Sequence, residues 1–162
     1  SFSGLFASNL RRTQETAAPL AAATGLDLAV LPDLREINLG ELEGGAYRIK
    51  VAEGDPLVAE IASQERWDVI PGAESPEQFS GRLRAAIAEI AATVPAGTTA
   101  VAFVHGAVIG DLCALATGSR PFAFLNADNG SLSSIVVHAD GSWLLRSFNE
   151  TRHLDTPTGP VG

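Results

Sequence analysis

The chain has 162 residues, 46% of them hydrophobic and 19% charged, and a formal net charge of −8. That composition suits a soluble globular protein with a proper core. It argues against a general nucleic-acid binder, which needs a basic face, and against an anionic membrane surface as partner. No apolar run approaches the ~20 residues of a membrane span. The single cysteine, Cys113, cannot form an internal disulfide, and zinc-type Cys/His spacing is absent. Neither a metal nor a cofactor is expected, and the expected location is cytoplasmic. The chain starts without Met, inside an apolar run and without a signal-peptide pattern. Natural sequence upstream of Ser1 is therefore expected.

In chain order, Phe2 to Ala7 reads as a short buried strand, and Ser8 or Asn9 can cap the next element. Leu10 to Ala23 reads as a helix with Gly25 as its left-handed C-terminal cap. Asp27 to Leu31 is a second strand, stopped by Pro32. Asp33 to Gly45 is a loop rich in acid and glycine, a kind of segment that often carries function. Ala46 to Arg66 reads as one or two short helices broken by Gly54-Asp55-Pro56, and Trp67 to Gly72 as irregular.

Ser75-Pro76-Glu77-Gln78 is a strong helix start, with a serine cap, proline at the first helical position and Gln at the capping-box position. That helix runs to about Ala92, with Phe79, Leu83, Ile87 and Ile90 as its buried stripe. An apolar strand from Thr99 comes next and passes through His105 and Gly106 into a helix over Ala107 to Ala116. Leu132 to His138 and Trp143 to Phe148 form a hairpin around Ala139-Asp140-Gly141-Ser142.

The pattern predicts an α/β fold: three layers, α/β/α, with a mostly parallel mixed sheet and a terminal antiparallel hairpin. Residues 1–154 are expected to form one domain with a lid-like insertion at 41–72, and 155–162 a flexible tail.

His105 stands where a strand ends and a helix begins. Open α/β sheets bind ligands at that edge. The helix N-terminus, opened by Gly106, offers free N–H groups to an anion. The alternative for His105 is a hydrogen-bonded core histidine. Arg11 and Arg12 sit at the start of a helix, where the macrodipole disfavours positive charge. They are either a solvated pair or a phosphate fork. Glu36 lies between apolar neighbours after a strand. It is either a carboxyl of raised pKa, fit for general-acid work, or a loop acid paired with Arg35. Structural roles are expected for His138, His153, Glu74, Arg82 and Cys113.

Together these residues resemble the histidine phosphatase superfamily, the group that includes phosphoglycerate mutases, over about Phe6 to Leu154. Ser8-Asn9-Leu10-Arg11-Arg12-Thr13-Gln14-Glu15-Thr16-Ala17 is similar to the family's Ser-Pro-Leu-x-Arg-Ala-x-x-Thr-Ala, with Asn9 in place of proline. Leu34-Arg35-Glu36 with Gly40-Glu41-Leu42-Glu43-Gly44 resembles its acid-donor loop, with Leu42 in place of the usual aromatic. Gly72-Ala73-Glu74-Ser75 with Arg82 resembles its helix start, and Phe103-Val104-His105-Gly106 its second histidine motif. Asn149 and His153-Leu154 match its late Asn-x-x-x-His-Leu.

The resemblance implies Arg12 and Gly106 as phosphate-binding residues and Glu36 and His105 as catalytic ones. It implies a small phosphorylated substrate, no metal and a phosphohistidine intermediate. Homodimers are the ordinary base rate for such proteins. The family's nucleophile lies in an Arg-His-Gly motif, and the 162 residues contain none. The chain alone is therefore expected to be inactive. The expected activity is phosphomonoester hydrolysis. The alternatives are mutase-type phosphoryl transfer, or a non-catalytic domain that binds phospho-ligands.

Overall fold

The computed structural model describes residues 2–155. The segment 156–162, most of the expected tail, lies outside the described residues. The strands are β1 (Phe2–Ala7), β2 (Leu28–Val30), β3 (Thr99–Phe103), β4 (Leu132–Val137) and β5 (Trp143–Glu150). The helices are α1 (Arg11–Thr24), α2 (Ala46–Glu53), α3 (Pro56–Gln64), α4 (Pro76–Thr93) and α5 (Gly106–Thr117).

β1 is the middle strand of a parallel sheet in the order β2-β1-β3. Leu5, Phe6 and Ala7 are buried in succession. Neighbouring strand residues point to opposite faces, so both faces of β1 are covered. α1 packs along all three strands and buries Ala17. Phe6 joins a core with Phe79, Leu83 and Ile87 of α4 and Val108 and Leu112 of α5. On that same face, a Cβ at Gly4 would come within 2.9 Å of Val94. A side chain there would force the Phe6 ring or the Val94 side chain to shift.

The register aligns Ala7 with both Val30 and Phe103, so the three strands end together. Just past that edge, the Ser8 N–H donates to Phe103 O at 3.2 Å. The expected helix cap differs in detail. Leu10 occupies the cap position of α1 and makes no side-chain cap bond. Ser8 Oγ instead accepts the Leu10 N–H at 3.2 Å.

α4 begins with the full capping box: Ser75 Oγ accepts from Gln78 N, and Gln78 Oε1 accepts from Ser75 N. The 41–72 segment contains two helices. Gly54 ends α2 at φ 67°, and Asp55 caps α3 by accepting the Leu57 N–H at 2.9 Å. The segment has a small core of its own, Leu42, Ile61 and Ile70, and Trp67 packs against both this cluster and the main core.

β4 and β5 form a separate antiparallel ribbon. Among the described residues no hydrogen-bond ladder joins it to the parallel strands, so the sheet is not continuous. The ribbon packs against α5, and Ile135 and Trp143 reach the main core through their side chains.

Candidate active site

Three sequence elements meet at the common edge where β1, β2 and β3 end. His105 closes β3 and is the cap residue of α5, and only 6% of its surface is exposed. Its Nε2 lies 2.8 Å from Ser8 Oγ, at the end of the adjacent strand β1. Its Nδ1 lies 3.2 Å from Arg12 Nε and 3.0 Å from Arg12 Nη2, on the first turn of α1. The two predicted residues Arg12 and His105 are thus in direct contact.

These contacts fix the proton positions. Guanidinium can only donate, so Nδ1 must carry a lone pair and Nε2 the hydrogen. Ser8 Oγ then accepts from Nε2, and its own hydrogen goes on to Thr13 Oγ1 at 2.9 Å. Thr13 Oγ1 donates in turn to Leu10 O at 2.8 Å. The imidazole is neutral. Burial pushes its pKa from 6.5 down to about 4, helped by the charges of Arg12, Arg82 and Arg35.

Glu36 comes after the 3-10 turn Pro32–Leu34, in the loop beyond β2. Its Oε1 accepts its neighbour's Ile37 N–H at 3.1 Å, and its Oε2 accepts Ala107 N–H at 3.2 Å from the first turn of α5. The expected alternative, an ion pair with Arg35, is not formed among the described residues. Burial raises the Glu36 pKa above the ordinary carboxylate value. The N–H groups of Ala107, Ile37 and Val108 and the charge of Arg12 work against that rise. Gly106 lies between His105 and Ala107 as the first residue of α5, and a Cβ placed there would meet nothing within 4 Å.

The loop holding Glu36 is fixed by Arg82. Its Nη1 donates to Asp33 O and Arg35 O, both at 2.6 Å, and its Nη2 to Glu36 O at 3.2 Å. The same guanidinium grips Glu74 at 2.7 and 2.9 Å. Glu74 also receives the Asn38 N–H, at 3.3 Å. Sequence reasoning assigned Arg82 and Glu74 a supporting role but could not show what they support. Ser8 and Thr13 were missed as partners of His105. The available signal was Ser8's position just past an apolar strand, matching that of His105.

Beside this edge lies an open cleft of about 710 Å³, lined among others by Asn9, Arg35, Glu36, Asn38, Gln78 and Arg82; Arg12, His105 and Gly106 are not among its lining residues. That is ample for a small ligand. His138, in the hairpin turn, and His153, near the end of the described chain, are both exposed and are not among the residues lining this cleft.

Residues 1–151 match the histidine phosphatase superfamily (branch 1), and the chain belongs to that family. It is 31% identical over 159 residues to a probable phosphoglycerate mutase of Yersinia enterocolitica, covering 94% of this chain and 74% of that protein. The solved phosphoglycerate mutase of Bacillus anthracis superposes with a TM-score of 0.76 at 26% identity, covering 93% of this chain and 73% of that one. A mycobacterial glucosyl-3-phosphoglycerate phosphatase superposes with a TM-score of 0.74 at 27% identity, covering 93% and 78%. The expected membership and the α/β fold of the family are both borne out. Members of this kind are phosphatases or mutases.

Proposed function

We propose that this site serves a phosphomonoester hydrolase that works through a phosphohistidine, with the nucleophilic histidine contributed by sequence other than these 162 residues. The observation that carries the reading is the convergence of Arg12, His105 and Glu36 on one sheet edge beside the open helix start at Gly106. β3 adds support. It is an apolar strand of a parallel sheet, yet it pairs only with β1 among the described residues and stays half-exposed. A parallel strand of this composition is normally covered on both sides, and a further strand carrying the nucleophile would cover it.

In the first step the histidine nitrogen attacks phosphorus and the ester P–O bond breaks. Glu36 gives its carboxyl proton to the departing oxygen, and its raised pKa suits that task. Water then attacks phosphorus, the P–N bond breaks, and the Glu36 carboxylate takes the proton from water. Arg12 and the N–H of Gly106 neutralise the phosphoryl oxygens. A bound phosphoryl dianion competes for the Arg12 guanidinium and favours a protonated imidazole, so that Nδ1 of His105 becomes a donor to the same group.

Hydrolysis is favoured over mutase transfer by the 41–72 segment. Retaining a doubly phosphorylated intermediate calls for free cations over the site. Of the segment's three cations, Lys50 is paired with Asp55 at 2.5 Å and Arg66 with Asp68 at 2.6 Å, which leaves Arg48 alone without a carboxylate partner among the described residues. The segment acts as a lid over a small phosphorylated substrate.

The test is turnover of an alkyl phosphate by the natural protein containing an Arg-His-Gly segment. Glu36→Gln and His105→Ala are each expected to lower it by about 10²–10⁴-fold. Unchanged turnover in both variants would sink the reading.

A further inference from the structure

We propose that Arg35 is a specificity residue whose guanidinium holds a carboxylate of the substrate beside the transferred phosphoryl group. The inference rests on the phosphatase reading above and names the class of substrate that the site prefers.

Four observations lead to Arg35. It lines the cleft together with Glu36 and Asn9. Its side chain has no carboxylate partner among the described residues, in a chain of net charge −8. Five other cations are engaged: Arg11 with Glu15, Lys50 with Asp55, Arg66 with Asp68, Arg82 with Glu74 and Arg120 with Glu65. The remaining cations without a carboxylate partner among the described residues (Arg12, Arg48, Arg84, Arg146 and Arg152) do not line the cleft. The adjacent carboxylate is the natural partner, yet Glu36 is turned to the N–H groups of Ile37 and Ala107 instead.

The cleft's charge balance points the same way. Glu74 is neutralised by Arg82 in a two-pronged contact. Glu36 is half-buried and turned inward to the N–H groups of Ile37 and Ala107. Of the two cations lining the cleft, Arg82 is paired and Arg35 has no carboxylate partner among the described residues.

Its backbone, by contrast, is held firmly. The Arg35 N–H donates to Pro32 O at 3.0 Å, and its carbonyl accepts from Arg82 Nη1 at 2.6 Å. A free guanidinium on a fixed backbone loses little order on binding and matches a carboxylate or phosphate in a fork. Glu36, the next residue, lines the same cleft and accepts the Ala107 N–H at the start of α5, which ties the loop carrying Arg35 to the proposed phosphoryl position. A substrate bound between Arg12 and Arg35 would span the edge of the cleft with an anion at each end.

The test uses two non-hydrolysable ligands and needs no turnover. Ethylphosphonate presents the phosphoryl-like group alone, and phosphonoacetate adds a carboxylate. Calorimetric titration of the natural protein at low ionic strength and pH 8 is expected to show about 10-fold tighter binding of phosphonoacetate. In Arg35→Ala that ratio is expected to fall to near one, with ethylphosphonate affinity kept within about twofold. Arg35→Lys is expected to restore part of the preference, as a point charge without the fork.

Arg35 is exposed, so neither variant threatens the core. Two results would overturn the inference: a ratio unchanged in Arg35→Ala, or an equal loss of both ligands, which would place Arg35 on the transferred group itself. If neither ligand binds the wild-type protein, the phosphate site falls and this inference with it. If ethylphosphonate binds but no preference exists, only the role of Arg35 is lost.

Discussion

Arg12 and His105 meet nitrogen to nitrogen: the guanidinium directs Nε and Nη2 at the Nδ1 lone pair of the imidazole, at 3.2 and 3.0 Å. The contact requires a neutral histidine, and burial keeps it so, helped by the positive charge of Arg12. It also explains a cation at the start of a helix, where the macrodipole alone would disfavour it. Donor and acceptor are occupied by each other, and on the proposed function an anion would separate them.

The first prediction concerns the titration of His105. With a folded-state pKa of about 4 against an ordinary 6.5, the unfolded chain binds more protons between those values. His105 therefore contributes stability that is fully present above pH 6.5 and is lost as pH falls towards 4, about 3 kcal/mol in all. Glu36 works in the opposite sense. Its raised folded pKa gives stability that is present at low pH and is lost as pH rises through that value. Imidazole NMR titration should find His105 neutral at pH 6, and inorganic phosphate should move its pKa upward. An unperturbed pKa near 6.5 without ligand would contradict the geometry.

The second prediction concerns the tautomer. Ser8→Ala removes the acceptor for the Nε2 hydrogen of His105. Leaving that buried donor unpaired costs about 1–3 kcal/mol. Thermal unfolding should record the loss, and nitrogen chemical shifts of the ring should show weaker preference for the Nε2–H form. Thr13→Val should have a smaller effect in the same direction, because it breaks the next link of the chain.

The third prediction concerns the clamp on the acid loop. Arg82→Ala frees three carbonyls, of Asp33, Arg35 and Glu36, and strands Glu74. The expected cost is about 2–4 kcal/mol. In the natural protein, turnover of an alkyl phosphate should fall more than that of p-nitrophenyl phosphate, whose leaving group needs little protonation. Equal losses for both substrates would mean that Arg82 does not act through Glu36.

The fourth prediction concerns Gly40. Its φ is +54°, and a Cβ there would run into Pro71 O and the backbone of Gly72 and Ala73. Neither group is the end of a flexible side chain, so neither can yield cheaply. Gly40→Ala should destabilise the protein by about 3 kcal/mol in thermal unfolding. The change would loosen the junction between the acid loop and the segment that precedes α4.

The two strand ends that form the site were legible in sequence, because each is an apolar run that stops at one polar residue and turns into a helix. That pattern located His105, whereas Ser8 was legible only as a possible cap; the odd placement of positive charge marked Arg11 and Arg12 together, and the family resemblance chose Arg12. The capping box at Ser75 and the break at Gly54-Asp55-Pro56 were equally legible, because turn and cap chemistry is local. The clamp by Arg82 was not, since its partners include three backbone carbonyls some 46 to 49 positions away, and carbonyls leave no trace in composition. The choice of Glu36 between Arg35 and the start of α5 was equally hidden, because it depends on how β2 and β3 flank β1. The hairpin's separation from the parallel strands was also beyond reach. Alternation marks a strand but does not name its neighbour.

The most direct measurement is acid–base characterisation of the phosphoenzyme formed from a radiolabelled phosphomonoester. If a longer protein supplies the Arg-His-Gly segment, as proposed, rapid quenching should trap a label that is stable to base and labile to acid, as a phosphohistidine is. The label should be slow to form from an alkyl ester in Glu36→Gln, and the 162-residue chain alone should take up none. An acid-stable label, or one carried by the 162 residues themselves, would contradict the account.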